Sequence, residues 1–351
     1  MPVLTRIKKP IFSFLTNRRK SRATHPENNA HVCMEIFNSV CVLANGDVIC
    51  SCRDDLSANV LGNLKQNRNR ITDIFKNDNY NKLRAEIGGS EQNAYCPAIK
   101  DECCFKNVPC NLVDMNIYPK IEILQLETIS YCNLKCPLCP ATQWASSDSG
   151  RLGILPMDII ESLFEDTKNT LHTLLLYNYG EPFLDKRILE ILRLAKRIVP
   201  NAYIGICSNG TILPAHLIET IVKEQLVSRI NFSIDGASQE TYGKYRVGGS
   251  FEKAFNNMAV LNNYNKMHEG SQLRIYWQYI LFEWNDSDQE IQRAIDLATE
   301  HGLTIQWTLT SSPGKSKRYT PGSSDFMSLQ GGIKHLCREL ETSRIEKPGR
   351  S

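Results

Sequence analysis

The chain has 351 residues, of which 42% are hydrophobic and 23% charged, and its formal net charge is +3. This balance excludes a chain disordered throughout, and the charge is too slight to indicate a nucleic-acid partner. No stretch reaches the ~18 apolar residues that a transmembrane segment requires, while the length allows more than one domain and a self-supporting core.

Of thirteen cysteines, all but two fall in clusters. In a chain of this length, clustering points to metal ligation in a reducing, cytoplasmic setting, because disulfide scaffolds belong to short secreted domains. The first segment, residues 1–30, is basic, and its apolar stretch around Phe12, Phe14 and Leu15 is too short for a signal-peptide core. It is expected to be a flexible, solvated terminus.

Residues 31–115 carry Cys33, Cys41, Cys50, Cys52, Cys96, Cys103, Cys104 and Cys110 and are expected to form a separate, small α+β module rich in cysteine. Within it, residues 40–52 alternate as a β-hairpin around Asn45-Gly46, a dipeptide that suits a turn with positive φ at both positions. The turn would deliver Cys50 and Cys52 near a strand end. A helix over 71–87 then returns the chain to Cys96, Cys103 and Cys104.

From 116 to 310 strand-like and helix-like patterns alternate six times, the rhythm of a parallel β/α fold. Strands are expected at 121–127, 173–178, 203–207, 230–234, 274–281 and 304–308, most of them nearly continuous apolar runs suited to burial on both faces. Between them, Ile188, Ile191, Leu192, Ala195, Ile198 and Val199 share one face of a helix capped by Asp185, and Phe251, Ala254, Phe255, Met258 and Leu261 share another. Gln278 and Tyr279 should sit on opposite faces of the fifth strand. Tyr276, Trp277, Tyr279, Trp284 and Trp307 make that end of the fold aromatic. Residues 311–351 read as a loop followed by a last helical turn or two. Cys207 and Cys337 stand apart from the clusters, and a buried, apolar role is expected of each.

Directly after the first expected strand comes Cys132-Asn-Leu-Lys-Cys136-Pro-Leu-Cys139. Three thiolates leave a four-coordinate site one ligand short. A structural zinc site closes its shell with four protein ligands, whereas a cluster held by three keeps a position open for chemistry. A zinc knuckle completed by a distant fourth ligand is the alternative. One β/α unit later stands Tyr177-Asn-Tyr-Gly180-Glu181-Pro182, where a carboxylate projects from a strand end and glycine permits close backbone approach. Further strand ends carry Ser208-Asn209-Gly210 and Ser233-Ile234-Asp235-Gly236, followed by Arg246.

The C-x3-C-x2-C spacing followed by Gly-Glu-Pro resembles the radical SAM superfamily, with Tyr179 standing where the family's motif has its first glycine. That resemblance implies a partial (β/α)6 TIM-like barrel whose chemistry sits at the C-terminal ends of the strands. It implies a [4Fe-4S] cluster on Cys132, Cys136 and Cys139. It also implies S-adenosylmethionine (SAM) held by Gly180 and Glu181, lined by Ser208 and Asn209, with Ser233 at its carboxylate or ribose and Arg246 paired with its carboxylate. SAM would be cleaved to a 5'-deoxyadenosyl radical by an electron from a low-potential donor such as flavodoxin or ferredoxin.

The order cysteine, Asn-Gly-Asp, cysteine, helix, cysteine group in residues 31–115 resembles a SPASM auxiliary-cluster module, placed here before the barrel. An auxiliary [4Fe-4S] cluster would draw on Cys33, Cys50 or Cys52, Cys96, and Cys103 or Cys104, and zinc is the alternative occupant. SPASM-type relatives imply a peptide or carbohydrate-type substrate. Two other functions are open: a non-catalytic zinc-binding scaffold, and a radical SAM enzyme that transfers a methyl group.

Overall fold

The computed structural model describes residues 35–50, 60–66, 70–87, 119–145, 150–310 and 312–329. The expected flexible terminus, Cys337, and Cys33, Cys52, Cys96, Cys103 and Cys104 of the proposed auxiliary set lie outside the described residues.

The strands, in chain order, are β1 (Ser39–Val42), β2 (Asp47–Ile49), β3 (Val60–Asn63), β4 (Ile123–Leu126), β5 (Thr173–Leu175), β6 (Tyr203–Ser208), β7 (Arg229–Ser233), β8 (Arg274–Ile280) and β9 (Thr304–Thr308). All nine join one sheet in the order β3-β2-β1-β4-β5-β6-β7-β8-β9. The run β4 to β9 is parallel throughout, and a helix lies in every connection, as parallel pairing requires. This is an α/β fold. The expected strands are all present: β4, β5 and β8 are shorter than expected, β6 is one residue longer, β7 is shifted by one residue, and β9 has the expected bounds.

The segment expected to be a separate module is, in its described part, an extension of this sheet. β1 pairs in parallel with β4, matching Val40 to Leu124 and Val42 to Leu126, while β2 and β3 continue outward antiparallel. The reason lies in β4, whose four residues are all buried. Its free edge needs a partner for its backbone groups and a cover for its apolar side chains, and β1, also fully buried, supplies both.

The hairpin turn also differs from expectation. Only Gly46 has positive φ, at 92°. Leu43 N–H donates to the Asp47 carbonyl and Gly46 N–H to the Leu43 carbonyl, so the loop is the three-residue type closed by a left-handed glycine. The helix expected over 71–87 is broken into α1 (Ile71–Ile74) and α2 (Asp78–Ile87). Asn77 causes the break: its side-chain oxygen accepts the Tyr80 N–H at 2.9 Å and so caps the second helix.

Alternation along the strands divides the sheet into two unlike faces. Leu124, Leu174, Ile204, Ile206, Ile230, Phe232, Trp277, Tyr279 and Trp307 join the helices in one apolar core. This core includes α3 (Ile188–Ile198) and α4 (Phe251–Met267), which bury most of the residues expected of them; Ile198 and Phe251 are only partly buried, and Val199 is buried just past the end of α3. Each large aliphatic or aromatic side chain so buried contributes about 1.5–3 kcal/mol. Ser250 caps α4 by accepting the Lys253 N–H. Asp185, expected to cap α3, stands outside that helix; its carboxylate accepts the Arg187 N–H and clasps the Arg187 guanidinium.

The opposite face is where expectation fails in kind. Gly205, Cys207, Asn231, Ser233, Gln278 and Gln306 occupy its positions on β6 to β9, so the strands are largely buried on both sides but apolar on only one. Tyr279 belongs to the helix side, packed on Trp307 at 4.9 Å, which places Gln278 on the polar face.

Candidate active site

The residues singled out at the strand ends converge. Cys132, Cys136 and Cys139 on the loop after β4, Gly180 and Glu181 after β5, Ser208 at the end of β6 with Asn209, Ser233 at the end of β7, and Arg246 line one cavity. Cys207 lines it as well, which corrects the expectation of an inert buried thiol.

Burial raises the pKa of all three loop cysteines, and for Cys139 it reaches about 11. Left to themselves they would be neutral thiols. Yet donors already point at the sulfurs: Leu134 N–H and the Asn209 amide at Cys132 Sγ, 3.4 and 3.7 Å away, and the Arg246 guanidinium at Cys136 Sγ, 3.9 Å away. Such donors favour the thiolate that metal ligation requires. Among the described residues no three His, Cys, Asp or Glu side chains converge on a single ion. The thiols instead share a cavity, a donor set that fits a cluster whose irons each take one sulfur.

Gly180 makes this convergence possible. A Cβ there would lie 1.9 Å from the Ile129 carbonyl oxygen, so only glycine lets the loop after β5 cross the loop after β4. Glu181 N–H then donates to the Tyr131 carbonyl at 2.9 Å, tying the carboxylate-bearing residue to the residue before Cys132. The Glu181 side chain is 2% exposed. One carboxylate oxygen accepts the Ser208 hydroxyl at 2.8 Å and the Phe183 N–H at 3.1 Å, and the other accepts the Asn209 N–H at 2.7 Å. Burial pushes its pKa up to about 7 despite those donors. A cation entering the cavity would offset that burial.

Arg246 lines the cavity, and its guanidinium is committed to a partner. It grips the carboxylate of Asp235, which is fully buried, at 2.6 Å. Burial opposes the Arg246 charge, and Asp235 and Cys136 outweigh it, holding the pKa above its ordinary value. Asp235 also accepts the Ile280 N–H at 2.7 Å. In the sequence it reads as half of an Asp-Gly turn, and nothing local marks it as a partner for a residue eleven positions later.

Glu127 is a second residue that sequence reasoning missed. It is 2% exposed, and burial lifts its pKa to about 6 against the N–H groups of Ala44, Tyr179 and Gly180. A charged residue ending an apolar strand one turn before the cysteine loop was the available signal. Tyr245, whose ring lies 4.9 Å from Phe282, also lines the cavity. Of the auxiliary candidates only Cys50 is described; it is half-buried and packs against the helix-side core.

Residues 126–270 match the Radical SAM superfamily, and this stretch contains every residue of the cavity. The match spans less than half of the chain, and over that stretch the chain resembles a radical SAM domain, which supports an enzyme. It is 28% identical over 141 residues to an AdoMet-dependent heme synthase of Methanosarcina barkeri, covering 40% of this chain and 39% of that one. It is 24% identical over 229 residues to a GTP 3',8-cyclase of Alkaliphilus oremlandii, covering 65% and 67%. Among solved structures, anSMEcpe with bound AdoMet and Cp18Cys peptide is similar over 54% of this chain and 50% of that one, at 19% identity and a TM-score of 0.41. Methylornithine synthase (PylB) is similar over 60% of each chain, at 16% identity and a TM-score of 0.42. The chain spans 39% and 38% of the two heme synthases it matches. No helix among the described residues is long and apolar enough to cross a membrane.

Proposed function

We propose that this protein is a radical SAM enzyme that abstracts hydrogen from a peptide or carbohydrate-type substrate, its strands β4 to β9 forming a partial (β/α)6 barrel around the reaction. The observation that carries the proposal is the meeting of Cys132, Cys136, Cys139 and Glu181 in one cavity at the C-terminal ends of four parallel strands. When bound, a [4Fe-4S] cluster and SAM would supply a 5'-deoxyadenosyl radical by one-electron cleavage of the sulfonium.

The chain's own residues would prepare that chemistry. The three cysteines offer thiolates, and Leu134 N–H, the Asn209 amide and Arg246 stabilise their charge. Glu181, with three of its roughly four acceptor positions filled, would turn the remaining one to the ammonium of SAM. Ser233 and Asn209 line the path, and Arg246, anchored by Asp235, presents its outer edge to the cavity. Flavodoxin or ferredoxin would supply the electron in the cytoplasm.

Cys33, Cys50 or Cys52, Cys96, and Cys103 or Cys104 would hold an auxiliary [4Fe-4S] cluster in a SPASM-like module, with residues 116–310 as the catalytic core. The test is anaerobic purification with iron and zinc quantified, followed by SAM and dithionite. Release of 5'-deoxyadenosine supports the proposal. Stoichiometric zinc in a colourless protein would establish the scaffold reading, and S-adenosylhomocysteine in place of 5'-deoxyadenosine would establish methyl transfer.

A further inference from the structure

The loop that carries Glu181 is held from behind, by residues that do not reach the cavity. Three successive positions are fixed by three different contacts. Glu181 N–H bonds the Tyr131 carbonyl, Gly180 lies against the Ile129 carbonyl, and Tyr179 N–H donates to Glu127 Oε1 at 3.0 Å. The other Glu127 oxygen accepts the Ala44 N–H at 3.1 Å. Ala44 sits in the turn of the β1–β2 hairpin, so one buried carboxylate spans the hairpin, the end of β4 and the cofactor loop.

The hairpin meets the loop a second time. Cys41, Leu43 and Ile49, the apolar side chains on its polar-face side, form a small cluster of their own with Tyr179 packed on it. The Tyr179 ring also meets Trp144 edge-on at 4.8 Å between centroids, and Trp144 lies in the short helix Pro140–Ala145 that begins directly after Cys139. A glycine at position 179, as in the resembling motif, would leave this cluster uncovered.

We propose that Glu127 is a positioning residue of the cofactor site and that the N-terminal hairpin, acting through Ala44 and the Tyr179 pocket, fixes the angle at which Glu181 enters the cavity. This rests on the reading of Glu181 as the SAM ligand. The physical reason is that a carboxylate must be held to within a fraction of an ångström to bind a cation selectively. Backbone flanking a glycine is too free to hold it unaided. Glu127 removes that freedom without touching the ligand, as outer-shell groups commonly do.

The experiment uses anaerobically purified, cluster-loaded, full-length protein. Glu127→Gln keeps the volume and removes the charge, leaving one of the facing N–H groups opposed by an amide donor; Tyr179→Ala removes the ring and keeps the backbone donor. Both variants should retain wild-type iron content and the electron paramagnetic resonance signal of the reduced cluster. Their dissociation constants for SAM, measured by equilibrium dialysis, should rise at least tenfold. Hydrogen exchange should quicken together at 43–45 and 179–181, segments far apart in sequence. The proposal is overturned if SAM affinity stays within twofold of wild type in either folded variant, or if affinity falls only in proportion to lost iron. Where neither variant folds, exchange in the wild type decides: unprotected amides at Ala44 and Tyr179 overturn the clamp. Wild-type protein that holds its cluster but binds no SAM would instead overturn the reading of the site.

Discussion

Replacing Glu181 by glutamine separates the folding role of this carboxyl from its binding role. In the unligated fold its pKa rises from an ordinary 4.5 to about 7 through burial, which corresponds to about 3 kcal/mol of preference for the neutral carboxyl over the carboxylate. Because the folded value lies above the unfolded one, the stability associated with this group is fully present below pH 4.5 and is lost as pH rises through 7. Glutamine cannot titrate. The stability of metal-free wild-type protein relative to Glu181→Gln, from urea denaturation under reducing conditions, should therefore fall by about 3 kcal/mol between about pH 4.5 and pH 8.

The loss on SAM binding has a separate origin. The amide keeps one acceptor oxygen for Ser208 and Phe183, but its NH2 would face the Asn209 N–H that now donates at 2.7 Å, and it offers no charge to a bound ammonium. A charge-assisted hydrogen bond is worth about 1.5–3 kcal/mol, so SAM should bind the cluster-loaded variant about 10- to 100-fold more weakly. A stability difference that does not change with pH would refute the assignment of a buried, destabilised carboxylate. Unchanged SAM affinity would refute Glu181 as its anchor.

Other perturbations probe the remaining parts of the site. Cys132→Ser, Cys136→Ser and Cys139→Ser should each lower iron content by about four per chain and abolish 5'-deoxyadenosine formation, as checked by iron assay and chromatography. Gly180→Ala places a methyl group 1.9 Å from the Ile129 carbonyl oxygen, so the loops must part at a cost of about 1–3 kcal/mol or more, seen as a lowered denaturation midpoint and lost SAM binding. Arg246→Met strands the fully buried Asp235 carboxylate; removing one member of a buried ion pair costs about 3–5 kcal/mol. That loss should shrink at pH values low enough to protonate Asp235, which denaturation at two pH values would show.

Much of the framework was legible from the amino-acid sequence. Six strands were locatable because runs such as Thr304–Thr308 and Arg274–Ile280 carry β-branched and aromatic residues bounded by turn signals. The helix faces of Ile188–Ile198 and Phe251–Met267 followed from their spacing alone. The cysteine loop and Gly-Glu-Pro stood out because their chemistry depends on short spacings, which are local by nature. The break at Asn77 and the three-residue hairpin turn were misread because a single side chain or one extra residue redirects the backbone there without altering the surrounding pattern.

What the sequence determined by itself, then, was which segments form strands and helices, which helix faces turn to the core, and that three sulfurs lie near one strand end. The tertiary structure alone decided the partners of the buried charges: Glu127 with Ala44, Glu181 with Ser208 and Asn209, Asp235 with Arg246. It also decided that the hairpin would join the parallel sheet at β4. The reason is physical. Periodicity records how a segment meets water, and every residue carries that information locally, whereas a buried carboxylate takes whichever donors the sheet register brings to the same edge, and those come from strands tens of residues away.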